Sequence, residues 1–512
     1  MTLSSRTKYY ITETICLLYI LLFIYASASK LMDFQHFRIQ LGQSPLLSAF
    51  TEQVAVIVPV TEILICVLLL IPKYKPAGLF AAYGLMVMFT AYIFIILNYT
   101  SFVPCSCGGV LEKLGWQSHL IFNLFFVFLA VFGIILHGGG THKFHFINKK
   151  KLTALFSALT ISSISIVVVM FLFSENIIHY HNRLTRRFPH TPITRTGVND
   201  LKLNSYYFAG ADNLHVYLGN STAPLSITVL SSRLVQLEKS MIDLDNKELP
   251  FRGVKISVRP PYFFVTDGTV PCIFRGKVRD WKAELARQKG EYFTTAAAID
   301  SVRIAVLSNS SKTGDNVLGI IETAEQGRTI LNPDILQKQT DGVFDTDGHL
   351  LYSEGMEKII YLYAYRNQFT IADRSLKIIS RGTTIDTIAT AKLSIARDVK
   401  HGQRELSKPP LFVNKNSAVY KNLLFVNSAI PGLYENSRMW KEASIIDVYD
   451  LAAKSYLLSF CIYHYEGMKM KKFAVQNDQL YVLAGNYIIS YKIDSKITSK
   501  YIKNDTDNLL AK

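Results

Sequence analysis

Two cysteines separated by a single residue are the clearest sign of chemistry in this sequence. Cys105 and Cys107 stand in residues 104–109, Pro-Cys-Ser-Cys-Gly-Gly, between two long apolar segments. A disulfide between thiols this close would form a small, strained ring, and a strained disulfide is easier to reduce, which makes it a better oxidant or isomerase. The pair therefore favours redox chemistry. A structural disulfide, two unpaired thiols and half of a metal site are the alternatives.

The remaining cysteines do not extend this pair into a larger site. A zinc site needs two further Cys or His ligands at matching spacing, and the sequence has no second close cysteine pair, so we predict no metal at this loop. Cys16 and Cys66 are poorly placed for relaying electrons to the loop. Cys272 and Cys461 could form a disulfide or remain buried thiols, because separation in sequence does not give distance in space.

The elements that hold the cysteine loop are predicted to be membrane helices. The chain has 512 residues, 49% of them hydrophobic, and the apolar residues crowd into the first third. Five runs have about the ~20 residues that a bilayer helix requires. They cover residues 10–29, 54–71, 77–97, 120–136 and 155–173. The first run, with Arg6 before it and Ala26-Ser27-Ala28 at its end, also resembles a signal peptide. Glu13 inside it and the helices that follow favour an uncleaved first helix.

Lys and Arg residues predict the orientation of these helices. One side carries Arg6, Lys8, Lys73, Lys75, Lys143, Lys149, Lys150 and Lys151, and the other carries Lys30, Arg38 and Lys113. The more basic side is the cytoplasmic one. The sequence thus predicts a multi-pass protein of a bacterial inner membrane with a cytoplasmic N-terminus. The cysteine loop and the chain after residue 174 would lie in the periplasm, where disulfides persist.

The net charge of +16 does not indicate a nucleic-acid-binding protein. The basic residues near the helices are explained by membrane topology, and those of the remaining chain form no dense stripe. A mildly basic surface of this kind tolerates anionic lipid heads. The partner predicted from composition is the lipid bilayer, and nucleic acid is excluded.

Within the apolar runs, a few polar residues are candidates for a functional site. Glu62 lies inside the second run, and an ionisable group in hydrocarbon faces the bundle interior and takes a partner. Lys30, at the outer end of the first run, is the obvious partner. Alternatively, Lys30 reaches the interface and Glu62 is protonated. Trp116, His119 and Asn123 share one helix face and could line a pocket, with His119 as a proton relay near the thiols. For Trp116 we favour the structural role of an interface anchor.

These residues carry a resemblance to a known family. Residues 29–31 (Ser-Lys-Leu), 59–62 (Pro-Val-Thr-Glu) and 105–109, followed by Trp116 and Asn123, resemble the methylamine utilisation protein MauE, within the wider DoxX-like group of four-helix membrane proteins. The resemblance covers residues 1–140. It implies thiol redox outside the cytoplasm, and supply or maturation of the disulfide-rich small subunit of methylamine dehydrogenase, with Cys105 and Cys107 as the exchanging pair.

The sequence departs from the family pattern in two places. The family usually has an aromatic residue within the glycine pair after the second cysteine, where this chain has Gly108 and Gly109. The fifth helix and the long extension are not part of the core family. A four-helix bundle with outward-facing cysteines is also similar to quinone-linked thiol oxidases, which makes a membrane quinone a candidate cofactor by analogy alone.

The rest of the chain is predicted to be a separate all-β domain. Residues 141–174 form a basic loop and the fifth helix, residues 175–202 a polar linker, residues 203–500 the domain and residues 501–512 a polar tail. Short strands with turn signals are predicted at residues 213–218, 262–266, 302–307, 350–353, 359–365, 423–427, 444–448, 456–463, 479–484 and 487–493. Irregular repetition every ~40 to 55 residues favours a β-propeller of five or six blades, with a sandwich as the alternative.

Three functions are compatible with this sequence. The first is a thiol-disulfide oxidoreductase or maturation factor in which Cys105 and Cys107 exchange disulfides with an extracytoplasmic protein, while Lys30 and Glu62 organise the bundle and the propeller recruits the partner. The second is a membrane-anchored binding or scaffold protein in which the cysteines form a static clamp. The third is a small-molecule transporter that uses Glu62.

Overall fold

Apolar runs form the helices of the first third of the chain, and alternating strands form the rest. The computed structural model describes residues 4–44, 46–99, 115–138, 149–180, 183–288, 290–324, 327–398, 403–406 and 409–502. They fall into two units, Met1–His190 with Gly432–Glu435 and Thr191–Pro431 with Asn436–Lys512. The Cys105 and Cys107 loop lies outside the described residues.

The first unit is a bundle of helices. They are α1 (Ser5–Met32), α2 (Phe34–Gln43), α3 (Thr51–Leu70), α4 (Lys75–Tyr99), α5 (Trp116–Gly138) and α6 (Lys149–Tyr180), with a 3₁₀ turn at Ser48–Phe50. In the described part of the chain, five are long and apolar enough to cross a membrane: α1, α3, α4, α5 and α6. A helix satisfies its backbone polar groups internally, as hydrocarbon demands. The five predicted spans are confirmed, and α2 is an additional helix that was not predicted.

Interlocking side chains hold the helices of this unit together. Tyr19 of α1 is fully buried and its hydroxyl donates to the backbone carbonyl of Phe126 in α5. The hydroxyls of Tyr83 in α4 and Thr160 in α6 lie 2.7 Å apart, which joins α6 to the other helices. An unpredicted ion pair links Lys75 of α4 to Glu13 of α1. The helix α6 is therefore an integral part of the bundle.

The second unit contains six sheets of four or five strands. Blade 1 consists of β2 (Tyr206–Ala211), β3 (His215–Asn220), β4 (Ser226–Ser231) and β5 (Gln236–Met241). Blade 2 consists of β6 (Asp243–Leu244), β7 (Lys255–Arg259), β8 (Tyr262–Asp267), β9 (Cys272–Lys277) and β10 (Lys282–Gln288). Blade 3 consists of β11 (Phe293–Ala298), β12 (Arg303–Asn309), β13 (Asn316–Glu322) and β14 (Thr329–Asn332).

The remaining blades follow the same order. Blade 4 consists of β15 (Gly348–Ser353), β16 (Lys358–Tyr363), β17 (Gln368–Ala372) and β18 (Ile378–Thr383), and a hairpin of β19 (Ile395–Asp398) and β20 (Gln403–Leu406) follows it. Blade 5 consists of β21 (Asn414–Tyr420), β22 (Leu423–Ser428), β23 (Ala443–Asp450) and β24 (Ser455–Tyr463), with α7 (Ser437–Glu442) before β23. Blade 6 joins β1 (Ile193–Asp200) to β25 (Met470–Gln476), β26 (Gln479–Ala484) and β27 (Tyr487–Ile493), and α8 (Ser495–Thr498) ends the described elements.

Contacts between neighbouring blades close the six sheets into a propeller. One edge strand of each sheet contacts an edge strand of the next sheet, in the closed order β2, β7, β11, β15, β21, β25 and back to β2. Apolar side chains fill the spaces between blades, for example Trp281, Phe263 and Tyr217 between blades 1 and 2. In blade 6, β1 pairs with β27 from the other end of the domain. This pairing ties the two ends of the propeller together.

The sequence-based expectations for this unit are confirmed in most respects. The propeller is the correct alternative to the sandwich, and every predicted strand overlaps an observed one. The turn that joins β26 to β27 contains Gly485, whose φ of +57° favours glycine. Residues 175–202 are predicted to be a linker, but part of this stretch is regular structure. The helix α6 continues to Tyr180, and Ile193–Asp200 forms β1.

The cysteines of the propeller do not form the disulfide that the sequence left open. Cys272 lies in blade 2 and Cys461 in blade 5, and neither is in a disulfide. Burial raises the pKa of the Cys272 thiol to about 11, so it remains protonated near neutral pH. Cys272 is therefore a structural core residue of blade 2.

Candidate functional site

The helical unit contains a partly open cavity of about 730 Å³, with exposed side chains such as Leu21 and Ile57 among its lining residues. The residues predicted from the sequence to support a site, Lys30, Glu62, His119 and Asn123, all line it. The other walls are largely apolar and come from α1, α2, α3, α4, α5 and α6. Binding pockets of this size and composition, apolar with a few convergent polar groups, are typical of sites for small molecules and cofactors.

A buried ion pair forms the most polar part of this cavity. The Lys30 ammonium of α1 donates a hydrogen bond to Glu62 Oε1 of α3, and their side chains are 15% and 0% exposed. The Lys30 nitrogen also lies 5.9 Å from the ring centroid of Phe37 and 5.8 Å from that of Phe89, within the range of a cation–π interaction. The predicted partnership of Lys30 and Glu62 is present, so the two opposite charges compensate one another in the bundle.

Three polar atoms at the cavity keep unused hydrogen-bonding capacity. Among the described residues, no hydrogen-bond partner is found for Glu62 Oε2, Asn123 Nδ2 or His119 Nδ1. Asn123 is only 3% exposed, and buried polar groups are normally paired because leaving one unpaired costs about 1–3 kcal/mol. Glu62 Oε2 can accept and Asn123 Nδ2 can donate, while the role of His119 Nδ1 depends on its tautomer. These atoms are buried as well as unpaired, so they are the unusual polar groups in the wall of the cavity.

The face of α5 that carries Asn123 has the arrangement that its spacing predicts. Trp116, His119 and Asn123 recur at three and four residues and all line the cavity. The rings of Trp116 and His119 stack at 6.3 Å. Trp116 therefore contributes to the wall of the cavity, whereas the sequence favours a structural role for it at the membrane interface.

Two contributions to the cavity wall were missed from the sequence. The helix α2 contributes Phe37 and Leu41 to the cavity, and α6 contributes Ile166, Val167 and Met170. The spacing of Phe34, Phe37 and Leu41 is helical and could have indicated α2. The wall formed by α6 has no such signal, because a lipid-facing and a cavity-facing side of a membrane helix are both apolar.

The cavity lies toward the end of the bundle to which the cysteine loop is attached. The loop follows α4, and its last residues lead into α5 at Trp116, which itself lines the cavity. Tyr92 and Ile93, in the last part of α4, line it as well. Cys105 and Cys107 themselves lie outside the described residues. Only the two points where the loop is attached, the end of α4 and the start of α5, are therefore placed near the cavity.

Comparison with known protein families finds a similarity for this part of the chain. One family model matches residues 8–136, a stretch that contains Lys30, Glu62, both loop cysteines and Asn123. Residues 8–136 are similar to the methylamine utilisation protein MauE. The MauE-like region therefore includes most of the cavity wall. The helix α6 and the propeller lie beyond the match.

Comparisons of the whole chain add little. No curated protein matches it. A member of the DUF4221 family from Bacteroides vulgatus is similar at a TM-score of 0.37 and 11% identity, over 59% of this chain and 98% of that one. A protein of unknown function from Bacteroides thetaiotaomicron is similar at a TM-score of 0.36 and 9% identity, over 59% of this chain and 76% of that one. A chain of a nidogen/laminin complex is similar at a TM-score of 0.30 and 11% identity, over 50% of this chain and 78% of that one. These scores are too low to support a functional conclusion.

Proposed function

We propose that this protein is a membrane thiol-redox protein of the MauE type. In this proposal Cys105 and Cys107 alternate between a disulfide and a dithiol and exchange disulfides with a cysteine-containing protein outside the cytoplasm. The observation that carries the proposal is the MauE match, which spans both loop cysteines together with the cavity residues Lys30, Glu62 and Asn123. The family description makes a role in methylamine utilisation the corresponding process.

The proposed exchange balances without a metal. A thiolate of the partner attacks one sulfur of the Cys105–Cys107 disulfide and forms a mixed disulfide. The second partner thiol then attacks the partner's own sulfur in that mixed disulfide. The partner leaves with a new disulfide, and Cys105 and Cys107 keep the two electrons and, after protonation, become a dithiol.

The other parts of the chain fit this proposal in supporting roles. The asymmetry of Lys and Arg residues favours a periplasmic cysteine loop and a periplasmic propeller in a bacterial inner membrane. The Lys30–Glu62 pair stabilises the bundle next to the cavity, and the propeller recruits the partner protein. Blade edges and connecting loops commonly serve as binding surfaces on a rigid scaffold.

The proposal is tested by the reaction of the purified, oxidised full-length protein with a reduced two-cysteine peptide. We expect each protein to remove two thiols from the peptide in one turnover. The Cys105→Ser/Cys107→Ser variant should remove none. Cys16→Ala/Cys66→Ala, which alters two buried thiols of the core, is the matched control and should retain the full amount. Equal reaction by the Cys105→Ser/Cys107→Ser variant would contradict the proposal.

Small-molecule transport is the second candidate, because the cavity and the buried Glu62 are also features of transporters. A transporter would depend on Glu62 and would be indifferent to the loop cysteines. The peptide assay separates the two functions, since transport requires no thiol oxidation.

A further inference from the structure

A second cavity lies within the propeller, where blade 6 meets blade 1. Its volume is about 430 Å³, which is within the range of small-molecule sites, and we call it the seam cavity. Its walls come from β1, β25, β26, β27 and the β25–β26 turn of blade 6, and from the β2–β3 and β4–β5 turns of blade 1. We propose that the seam cavity binds a neutral saccharide. This inference is independent of the proposed thiol-redox function, which assigns no small molecule to the propeller.

Hydrogen bonds between the two blades hold the walls of the seam cavity in place. Asn477 Nδ2, in the β25–β26 turn, donates to Asn213 Oδ1 in the β2–β3 turn at 2.7 Å. Asn199 Nδ2 of β1 donates to the backbone carbonyl of Leu234 in the β4–β5 turn, also at 2.7 Å. The Leu234 side chain is buried and anchors that turn in the core of the propeller. The cavity is therefore pre-formed, so a ligand loses little free energy to ordering its walls.

The lining of the seam cavity favours a ligand rich in hydroxyl groups. Each of its eleven lining residues has a polar side chain, and Leu, Ile, Val, Met and Phe are absent from the described lining. Peptide-binding sites depend on apolar pockets for side chains, which this lining does not provide. Carbon atoms of the polar side chains also form part of the wall, which suits the C–H groups of a sugar ring. A saccharide therefore matches both kinds of surface.

The charges at the seam cavity favour a neutral ligand. Asp212 and Asp478 contribute two carboxylates to the lining, and Arg233 contributes a guanidinium. The ammonium of Lys492 lies 4.0 Å from Asp478 Oδ2, so two positive charges match two negative ones. Burial and the carboxylates of Asp478 and Asp212 raise the pKa of Tyr481 to about 12, which keeps this lining hydroxyl neutral as well. Since neither sign prevails, the ligand need not bring a net charge.

Arg233 and Asp478 are the accessible groups that can hold such a ligand. The Arg233 side chain is exposed and has no hydrogen-bond or ion-pair partner within the described ranges of the chain. The Asp478 side chain is 46% exposed, and its Oδ1 accepts one hydrogen bond from Gln479 Nε2 at 3.2 Å. A guanidinium presents donors in one plane and a carboxylate presents acceptors in one plane, so each can pair with two neighbouring hydroxyl groups. Because a sugar hydroxyl both donates and accepts, one saccharide can use both side chains.

Saccharide binding can be measured by calorimetric titration of the full-length protein in lipid nanodiscs, which avoid sugar-based detergents. The probes are four neutral disaccharides: maltose, cellobiose, lactose and N,N′-diacetylchitobiose. We expect saturable binding of at least one of them. Arg233→Ala removes the unpaired donors and should raise the Kd at least about tenfold, as expected for hydrogen bonds from a charged group. Arg279→Ala is the matched control and should leave the Kd unchanged, because Arg279 is an exposed residue of the β9–β10 turn in blade 2, outside the seam cavity.

Further arms of this experiment separate a neutral ligand from a charged one. The Kd of a neutral saccharide should stay constant between about 0.05 and 0.5 M NaCl, because salt screens interactions between charges. The Cys105→Ser/Cys107→Ser variant should bind with the wild-type Kd, which keeps this test separate from that of the thiol function. Saturable binding of none of the four disaccharides would overturn the proposal, as would equal effects of Arg233→Ala and Arg279→Ala. Binding of the zwitterion glycylglycine in place of the disaccharides would also overturn it.

Discussion

Replacing Cys107 with Ser is expected to convert the protein into a trap for its redox partner. The exchange can still run in reverse: the thiolate of Cys105 attacks the disulfide of an oxidised partner, which forms a mixed disulfide and frees one partner thiol. Without Cys107, no second thiol of this protein can attack the Cys105 sulfur and release the partner. Non-reducing electrophoresis of membranes from cells that express Cys107→Ser should show a protein–partner adduct at least tenfold more abundant than in wild type. The adduct should disappear on treatment with dithiothreitol.

The controls for this trap lie within the same chain. The Cys105→Ser/Cys107→Ser variant should give no adduct, since both exchanging sulfurs are absent. Cys66→Ala combined with Cys107→Ser should trap as strongly as Cys107→Ser alone, because Cys66 is a buried core thiol. An adduct that requires Cys66 or Cys272 rather than Cys105 would show that the loop pair is not the exchanging centre.

Breaking the Lys30–Glu62 pair is expected to cost about 3–5 kcal/mol of stability in the helical unit. Lys30→Met leaves the carboxylate of Glu62, which is 0% exposed, without its opposite charge. Removing both charges in Lys30→Met/Glu62→Leu should recover most of the loss, because an apolar pair fits a buried site at little cost. Denaturant unfolding in detergent, followed by the reactivity of the buried thiols of Cys16 and Cys66, measures these changes.

The second ion pair of the bundle provides a matched comparison. Lys75 and Glu13 form the same type of contact, but the Glu13 side chain is 27% exposed. The protein itself desolvates a charge left unpaired there less than it does Glu62, so Lys75→Met should cost only about 1 kcal/mol. Equal losses for Lys30→Met and Lys75→Met would contradict the view that burial makes the Lys30–Glu62 pair special.

The polar part of the cavity could be predicted from the sequence because membrane helices normally lack charged and amide side chains. Charged and amide side chains are costly in a membrane helix, so Glu62 and Asn123 stand out against their apolar neighbours. Lys30 follows as the nearest charge at the end of the preceding helix. The apolar walls could not be predicted in the same way, since Phe89 or Val167 would look the same if they faced lipid.

In the propeller too, some strands have a local sequence pattern that predicts them and others do not. Inner strands such as Leu423–Ser428 are buried on both faces, so their sequences are apolar runs that predict a strand. The outer strand Gln236–Met241 is mostly exposed and carries charged residues, so it resembles a loop. Ile193–Asp200 becomes a strand through pairing with Tyr487–Ile493, at the other end of the domain. No local signal marks such a partner, so the sequence of this strand resembles that of the linker before it.

The thiol state of Cys105 and Cys107 in living cells tests the central claim most directly. Alkylation with a mass-tagged maleimide, before and after a brief pulse of dithiothreitol, reports how many of the two thiols are free. If the loop is a redox centre, the pair will be reduced by the pulse and re-oxidised within minutes of its removal. A pair that stays fully oxidised throughout the pulse would contradict the account and would identify the loop as a structural clamp.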